Sequence, residues 1–241
     1  MTIKNNIAVL HEQLKALANK LISNHCILAC LMLVASVSLL SSCDDNLNKE
    51  EDNSEFTNQW KERNEAFFDS IMTVACNEVE NAKATYGNDW QNHCQWRVFL
   101  SYAKVGGKRT DSICARVIST IPQTSDKCPL YTDSVKINYM GHLIPTKSYA
   151  DGRVFDHSGI YENDSYVFSP NYSVPANFAV SNVVEGLTTA LMHMHVGDRW
   201  MVYMPQELGY MSISTGVIPS YSTLCFDIQL KGFYRKGEST N

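Results

Sequence analysis

His193 and His195, one residue apart, are the pair whose type and spacing most suggest a metal site. Imidazoles are common ligands of zinc and other transition metals. The surrounding segment is predicted to be a helix whose buried face consists of Val184, Leu187, Leu191 and Met194. At 100° per residue the two imidazoles are about 200° apart on that helix. They cannot hold one ion in that geometry, so the sequence predicts no metal site.

Thiol chemistry is the second candidate, because the chain contains eight cysteines. Three lie near the N-terminus, and the other five are Cys76, Cys94, Cys114, Cys128 and Cys225. Their spacing includes no C-x-x-C pair, which argues against a zinc ribbon or a thioredoxin-like site. An odd number cannot all pair within one chain. One or two disulfides and buried free thiols both remain compatible with the sequence.

The N-terminal segment has the pattern of an export signal. Lysines precede an uncharged run of 15 residues, Cys26–Leu40, which is shorter than the roughly 20 residues needed to span a bilayer. The run ends in Leu40-Ser41-Ser42-Cys43, which resembles a bacterial lipobox. This resemblance implies a lipoprotein signal peptide over residues 1–42 and a lipid on Cys43. The protein would then be anchored in the bacterial cell envelope, at the outer membrane, on its periplasmic or surface face.

The composition limits the partners. Residues 43–54 contain the acidic run DDNLNKEEDNS, which has too little apolar surface to fold and is predicted to be a disordered tether. The whole chain carries 25 acidic and 20 basic residues, for a formal net charge of −5. Nucleic-acid-binding proteins usually have a basic patch, so nucleic acid is not an expected partner.

A helix is predicted between Glu55 and about Thr85, ending near Gly87, because apolar residues recur at steps of three and four. The apolar positions are Phe56, Trp60, Phe67, Ile71, Val74, Val79 and Ala82. Such an amphipathic helix must cover its apolar face. The sequence leaves two partners open: the domain that follows, or the same helix of a second copy in a homodimer.

Beyond this helix the apolar period changes to two, which indicates strands. Residues 96–103 and 112–121 flank Gly106-Gly107 in a hairpin-like arrangement, and residues 135–139 and 224–230 alternate in the same way. Each strand is expected to bury one face only. Several such strands around one short helix predict an α+β domain with an antiparallel sheet curled over that helix.

Six segments occur in the order and approximate spacing of an FKBP-type peptidyl-prolyl cis-trans isomerase. They are SVKINYMGHL, DGRVFDHS, PANFAVSNVVEGLTTALMHMHVGDRWMVYMP, LGY, GVIP and STLCFDIQL. The resemblance covers residues 113–235, about half of the chain. It implies a curved antiparallel sheet around one short α-helix, preceded here by a helix and strand extension over residues 55–112 and followed by a tail over residues 236–241.

The same resemblance implies a proline-binding pocket. The residues nearest the rotating bond would be Tyr139, Phe155, Asp156, Tyr210 and Phe226, and those binding the rest of the substrate Val183, Val184, Leu187, Val217 and Ile218. Phe155 and Phe226 would be the walls and Leu187 the floor. The Val184 backbone N–H and the Tyr210 hydroxyl would bind substrate carbonyls. A hydrogen bond with Tyr139 would hold Asp156.

Four features depart from the family pattern and predict weak catalysis. Leu187 stands where well-known members have Trp, Met211 where Gly is usual, and Ser220 where a second Pro is usual. The non-glycine residue at position 211 disfavours a positive φ there. The long segment 157–177 contains no arginine to pair with the pocket carboxylate, for which Arg153 is the available substitute.

Peptidyl-prolyl isomerisation requires no nucleophile, acid, base or cofactor, so none is expected. The implied partners are proline-containing unfolded or nascent exported polypeptides, with a macrolide of the FK506 or rapamycin type as a candidate ligand. Two other functions remain compatible with the sequence. One is a tethered FKBP-like binding or chaperone module with little or no catalysis, and the other is an envelope scaffold or nutrient-uptake accessory lipoprotein.

Overall fold

A computed structural model of the chain describes residues 54–122, 126–162, 165–167 and 173–235. The predicted signal peptide (1–42), the lipid site at Cys43, residues 43–53 of the tether and the tail (236–241) lie outside these residues. Ser54, the last residue of the predicted tether, begins a helix. Among the described residues, no helix combines the length and apolar character that crossing a membrane requires.

The described residues form an α+β structure, as the alternating patterns predict. Its helices are α1 (Ser54–Thr57), α2 (Trp60–Tyr86) and α3 (Glu185–Leu191). Its strands are β1 (Trp96–Leu100), β2 (Ser112–Ser119), β3 (Ser134–His142), β4 (Val154–His157), β5 (Ile160–Glu162), β6 (Ser165–Val167), β7 (Ala176–Ala179), β8 (Arg199–Met204) and β9 (Leu224–Tyr234). Within the described ranges, seven strands form one antiparallel sheet in the order β1-β2-β8-β9-β3-β4, with β7 also paired to β3, while β5 and β6 pair separately.

Strand β3 organises the part of the sheet that carries the site. It pairs with β9 on one edge, and its other edge is shared by β7 in its first half and β4 in its second. Gly141 of β3 is therefore flanked by Asp156 of β4 on one side and by Phe226 of β9 on the other. This pairing brings residues that are 70 positions apart in the chain next to one glycine.

Helix α3 packs closely on the sheet. Leu187 and Leu191 are buried in the main core, and so is Met194, which follows the helix. Gly186 permits the close approach, because a Cβ at this position would lie 2.7 Å from the Met204 side chain of β8. Leu187 and Leu191 are buried as predicted, but Thr188, Thr189 and Ala190 are buried too, so α3 does not bury one side only.

Helix α2 buries a different stripe from the one expected. Its buried residues are Trp60, Asn64, Phe68, Met72, Ala75, Val79 and Ala82. Phe67 and Ile71 are half-buried and still pack against the core, as predicted, whereas Val74 is 45% exposed and the prediction for it was wrong. The buried face is rotated because Asn64, a polar residue, points inward and binds the domain. This face packs on the domain of the same chain, the first of the two partners left open, and the homodimer stays a prediction.

The expectation that each strand buries one face is wrong for β9. Cys225 and Asp227, on the face opposite Phe226, are also buried. On this side of the sheet α2 covers the neighbouring strands, where Phe68 packs with Cys114 of β2. Asp227 is satisfied there by a two-pronged hydrogen bond with the Arg199 guanidinium, at 2.9 and 2.6 Å. The sheet therefore lies between α3 and α2.

Candidate functional site

A cavity of about 510 Å³ lies between α3, β3, β4 and the segment that joins β8 to β9. It is lined by all ten residues that the sequence placed around a pocket, namely Tyr139, Phe155, Asp156, Val183, Val184, Leu187, Tyr210, Val217, Ile218 and Phe226. Ile137, Phe178, Asn182 and Thr215 complete the lining. The fold therefore brings together the whole predicted set, although their individual roles stay predictions.

Two perpendicular phenylalanines lie side by side in the lining of the cavity. The rings of Phe155 and Phe226 have centroids 5.4 Å apart at an interplanar angle of 83°, a favourable edge-to-face arrangement. Gly141, which lies between their strands, makes room for both rings. A Cβ at position 141 would be 2.5 Å from the Phe155 ring and 2.7 Å from the Phe226 ring. A side chain there would push the wall out of place.

A phenol and a carboxylate meet at the mouth of the cavity. The Tyr139 hydroxyl donates a hydrogen bond of 2.8 Å to Oδ2 of Asp156, and the His157 backbone N–H donates one of 2.9 Å to Oδ1. Both carboxylate oxygens are thus held. Burial, and secondarily the hydrogen bond to Asp156, raises the pKa of Tyr139 above its usual value. The phenol therefore stays protonated and remains a donor well beyond neutral pH.

Arg153 does not replace the missing ion-pair partner. Its guanidinium lies over the Phe56 ring, 5.4 Å from the centroid, and among the described residues no ion pair joins it to Asp156. The hydrogen bonds from Tyr139 and the His157 backbone hold the carboxylate instead. The suggestion that Arg153 takes this part was wrong, because α1 places an aromatic ring within its reach.

The floor and the rim come from different elements. Leu187 on α3 is 5% exposed and faces the cavity, whereas Tyr210 at the rim is 37% exposed. Val184 immediately precedes α3, and its carbonyl accepts the first helical hydrogen bond, from the Thr188 N–H at 3.0 Å. The Val184 N–H has no hydrogen-bond partner among the described residues. An N–H in that position is available to an acceptor.

Met211, next to the rim tyrosine, has φ 53°, the left-handed conformation that its residue type disfavours. The sequence expectation against a positive φ here was wrong. Two hydrogen bonds retain the conformation: the Met211 N–H donates to the Gln206 carbonyl at 2.9 Å, and its own carbonyl accepts from the Tyr221 N–H at 2.7 Å. The rim therefore keeps its turn at the cost of backbone strain.

Four lining residues were missed from the sequence. Phe178 of β7 stacks edge-on against Tyr139, with centroids 5.5 Å apart. Ile137, on the same strand as Tyr139 and two residues before it, could have been found from the period of two. Asn182 and Thr215 lie outside the helices and strands that have a repeating pattern, so no periodic signal marks them.

The two histidines have different partners but line one cavity, and the helical geometry expected to keep them apart does not apply to them. Helix α3 ends at Leu191, before both of them. His193 stacks on Phe99 at 4.1 Å, while His195 Nε2 is 3.5 Å from the Cys128 sulfur, beside a second cavity of about 780 Å³. No group of three or more potential metal ligands occurs among the described residues. Burial raises the pKa of the Cys128 thiol, which disfavours its nucleophilic form.

The sequence left disulfides and buried free thiols both open. The five described cysteines are all free thiols. Cys94, Cys114 and Cys225 are buried. Burial, with a smaller contribution from nearby Cys76, raises the pKa of Cys114 to about 12. These side chains act as small apolar core residues.

The fold and cavity define a small α+β domain with an apolar pocket, in which Asp156 is the one carboxylate among the described lining residues. Residues 126–231 match the family model described as FKBP-type peptidyl-prolyl cis-trans isomerase. This part of the chain is therefore similar to FKBP-type domains.

Three curated relatives illustrate the similarity. The chain is 37% identical over 111 residues to the FKBP-type 22 kDa peptidyl-prolyl cis-trans isomerase of Escherichia coli strain K12, which covers 46% of each protein. It is 30% identical to FkpA of the same strain, covering 54% of this chain and 41% of FkpA. It is 36% identical to the outer membrane protein MIP of Legionella longbeachae, covering 42% and 37%. The match thus spans less than half the length of each of these relatives.

Proposed function

We propose that this protein is a peptidyl-prolyl cis-trans isomerase whose domain occupies residues 113–235. The observation that carries the proposal is the meeting of ten family-pattern residues around one apolar cavity. A cavity lined by two phenylalanine rings suits the ring of a proline, and Val184 and Tyr210 in its lining carry hydrogen-bonding groups. The curated relatives with this activity in their names agree with it.

The chemistry depends on the electronic structure of the amide. Rotation about a peptide bond breaks its resonance and has a barrier of about 18–20 kcal/mol. The planar amide has a larger charge separation than the twisted one, so an apolar pocket destabilises the ground state relative to the transition state. Only such a difference raises the rate, by about tenfold for each 1.36 kcal/mol.

Each side chain would act on the substrate by contact or by hydrogen bonding. The rings of Phe155 and Phe226 would enclose the proline from the sides, and Leu187 would support it from below. The Val184 N–H and the Tyr210 hydroxyl would bind the carbonyls on either side of the rotating bond and hold the chain near its twisted geometry. Asp156, fixed by Tyr139, would lie beside that bond.

The direct test is an isomerisation assay with a short proline peptide. The purified protein should accelerate the reaction, and Phe226→Ala should lose most of the acceleration because it removes one wall. Val105→Ala, at a fully exposed position outside the cavity, is the matched control and should be unaffected. A wild-type rate equal to the uncatalysed rate would refute the enzyme function.

A second function is favoured by the exposed apolar surface at the rim. Tyr210, Met211, Ile213 and Val217 are between 37% and 59% exposed and lie in one short segment. Such a surface suits the holding of unfolded chains without catalysis. Capture of an unfolded proline-rich polypeptide by a protein that lacks isomerase activity would support this alternative.

The place of action is also a proposal. A lipid on Cys43 would anchor the protein in the bacterial envelope, where its substrates would be exported polypeptides that are still folding. The relative named as an outer membrane protein is consistent with this location. Metabolic labelling with a radioactive fatty acid tests it: the wild type should be labelled and Cys43→Ser should not. A macrolide of the FK506 type should compete with the peptide for the cavity.

A further inference from the structure

The first two turns of α2 hold the segment that carries the rim of the cavity. The Trp60 indole N–H donates a hydrogen bond of 3.0 Å to the Ser222 hydroxyl. Oδ1 of Asn64 accepts the Thr223 backbone N–H at 2.8 Å, and the Asn64 carbonyl accepts the Thr223 hydroxyl at 3.1 Å. Asn64 is fully buried, and the other three are at most 4% exposed. Among the buried residues of α2, Trp60 and Asn64 are the two with polar side-chain atoms. Burying a polar group costs free energy unless it is hydrogen-bonded.

These contacts lie at the base of the rim loop, which we define as residues 211–221. Met211 and Tyr221 close this loop with their 2.7 Å backbone hydrogen bond, and the residues between them include Val217 and Ile218 of the cavity lining. Ser222 follows directly after Tyr221, and Lys61 of α2 lies 4.9 Å from the centre of the Tyr221 ring. Three consecutive residues at one end of the loop are thus held by the first turns of α2.

The loop base is strained. Met211 and Tyr221 both have positive φ, 53° and 62°. Non-glycine residues in this region cost about 1–3 kcal/mol each and persist only where the surroundings enforce them. The hydrogen bonds between α2 and the next two residues, Ser222 and Thr223, are buried contacts that can enforce the Tyr221 conformation. Without them the loop is free to relax, and Tyr210, Val217 and Ile218 move with it.

We propose that Asn64 and Trp60 are positioning residues of the cavity: docking of the N-terminal helix on Ser222 and Thr223 holds the rim loop in its binding geometry. The inference rests on the proposed isomerase function, because it assigns regulation of the same site to α2. The activity of the FKBP-type domain would then depend on the extension over residues 55–112, which contains α2. A change that loosens α2 lowers activity without touching a residue of the cavity.

The test compares Asn64→Ala with Asn77→Ala, which removes an exposed asparagine from the same helix. Trp60→Phe is the second variant, since it retains an aromatic ring but removes the bond to Ser222. For each full-length protein, kcat/KM on a proline peptide, the melting temperature, and hydrogen exchange at the Met211 and Tyr221 amides are measured. Neither amide is bonded to α2, so their exchange reports on the loop and not on the deleted contact.

We expect Asn64→Ala and Trp60→Phe to lower kcat/KM by about three- to tenfold and to accelerate exchange at both amides, with Asn77→Ala unchanged. A lower melting temperature with unchanged kcat/KM and unchanged loop exchange would show that the contacts are only structural and would overturn the proposal. If Asn64→Ala does not fold, Trp60→Phe decides by the same criteria. A wild type without activity refutes the proposed function, and loop exchange then decides the positioning role by itself.

Discussion

The Tyr139 hydroxyl and the Asp156 carboxylate are joined by a 2.8 Å hydrogen bond at the mouth of the cavity. Tyr139 is 7% exposed, whereas Asp156 is exposed to solvent on its other side. The buried phenol thus fixes a carboxylate that would otherwise rotate freely into water. The backbone N–H of His157 holds the second oxygen of the same group. The orientation of the carboxylate in the cavity is set by these two donors.

Replacing Tyr139 by Phe should lower kcat/KM by about tenfold, equivalent to about 1.4 kcal/mol, because the carboxylate loses one of its two donors. Asp156→Ala should lower kcat/KM by more than tenfold, because it removes the carboxylate itself. Asp156→Asn should retain more activity than Asp156→Ala, because the amide oxygen can still accept from Tyr139. Steady-state kinetics on one proline peptide will rank the three variants. If Asp156→Asn and Asp156→Ala lower kcat/KM equally, the hydrogen bond from Tyr139 has no role in the activity.

Burial of the Tyr139 phenol, together with the same bond, predicts a dependence of stability on alkaline pH. The pKa of Tyr139 is raised in the folded state, so below the ordinary tyrosine value of about 10 its contribution to stability is fully present. As the pH rises above this value the unfolded chain ionises first, and the contribution is lost progressively up to the folded pKa. Between about pH 9 and 11, Tyr139→Phe should lose less stability than the wild type in urea denaturation. Parallel stability curves would contradict this prediction.

Gly141→Ala should damage the wall without altering any residue that faces the substrate. The new Cβ would overlap the rings of both Phe155 and Phe226, and relieving such an overlap typically costs about 1–3 kcal/mol of stability. We expect a lower melting temperature together with a large loss of kcat/KM. Gly232→Ala is the matched control in the same sheet, because a Cβ there meets no atom within 4 Å. Equal melting temperatures and equal kcat/KM in Gly141→Ala and Gly232→Ala would contradict the packing role of Gly141.

Met211→Gly should stabilise the protein. A left-handed non-glycine residue costs about 1–2 kcal/mol, and the greater freedom of glycine in the unfolded chain offsets about half of this, so a net gain of about 0.5–1 kcal/mol is expected. Little apolar burial is lost, because Met211 is 54% exposed. Met211→Ala removes the same side chain but keeps the Cβ, and should give no gain. Urea denaturation of the three proteins provides the comparison, and a stabilised Ala variant would refute strain as the cause.

The cavity residues could be predicted because they belong to segments with a recognisable order, such as VFDH around Phe155 and the segment around Val184. The face of α2 could not be predicted in the same way. Apolar periodicity favoured Phe67 and Ile71, whereas the observed face contains Asn64. A polar side chain is stable on a buried face only when a hydrogen-bond partner is present there. The partner of Asn64 is Thr223, which is 159 residues away in the chain. No local pattern contains this information.

By itself the sequence determined the antiparallel α+β architecture, the short helix α3 that packs on the sheet, and ten of the residues around the cavity. These features follow from local periodicity and from ordered motifs, both of which are written along the chain. The tertiary structure alone decided that His193 and His195 lie beyond the end of α3, that Gly141 makes room for the wall, and that α2 is attached to the rim loop. Each of these depends on contacts between distant segments, whose energies are set by packing and by the pairing of buried polar groups.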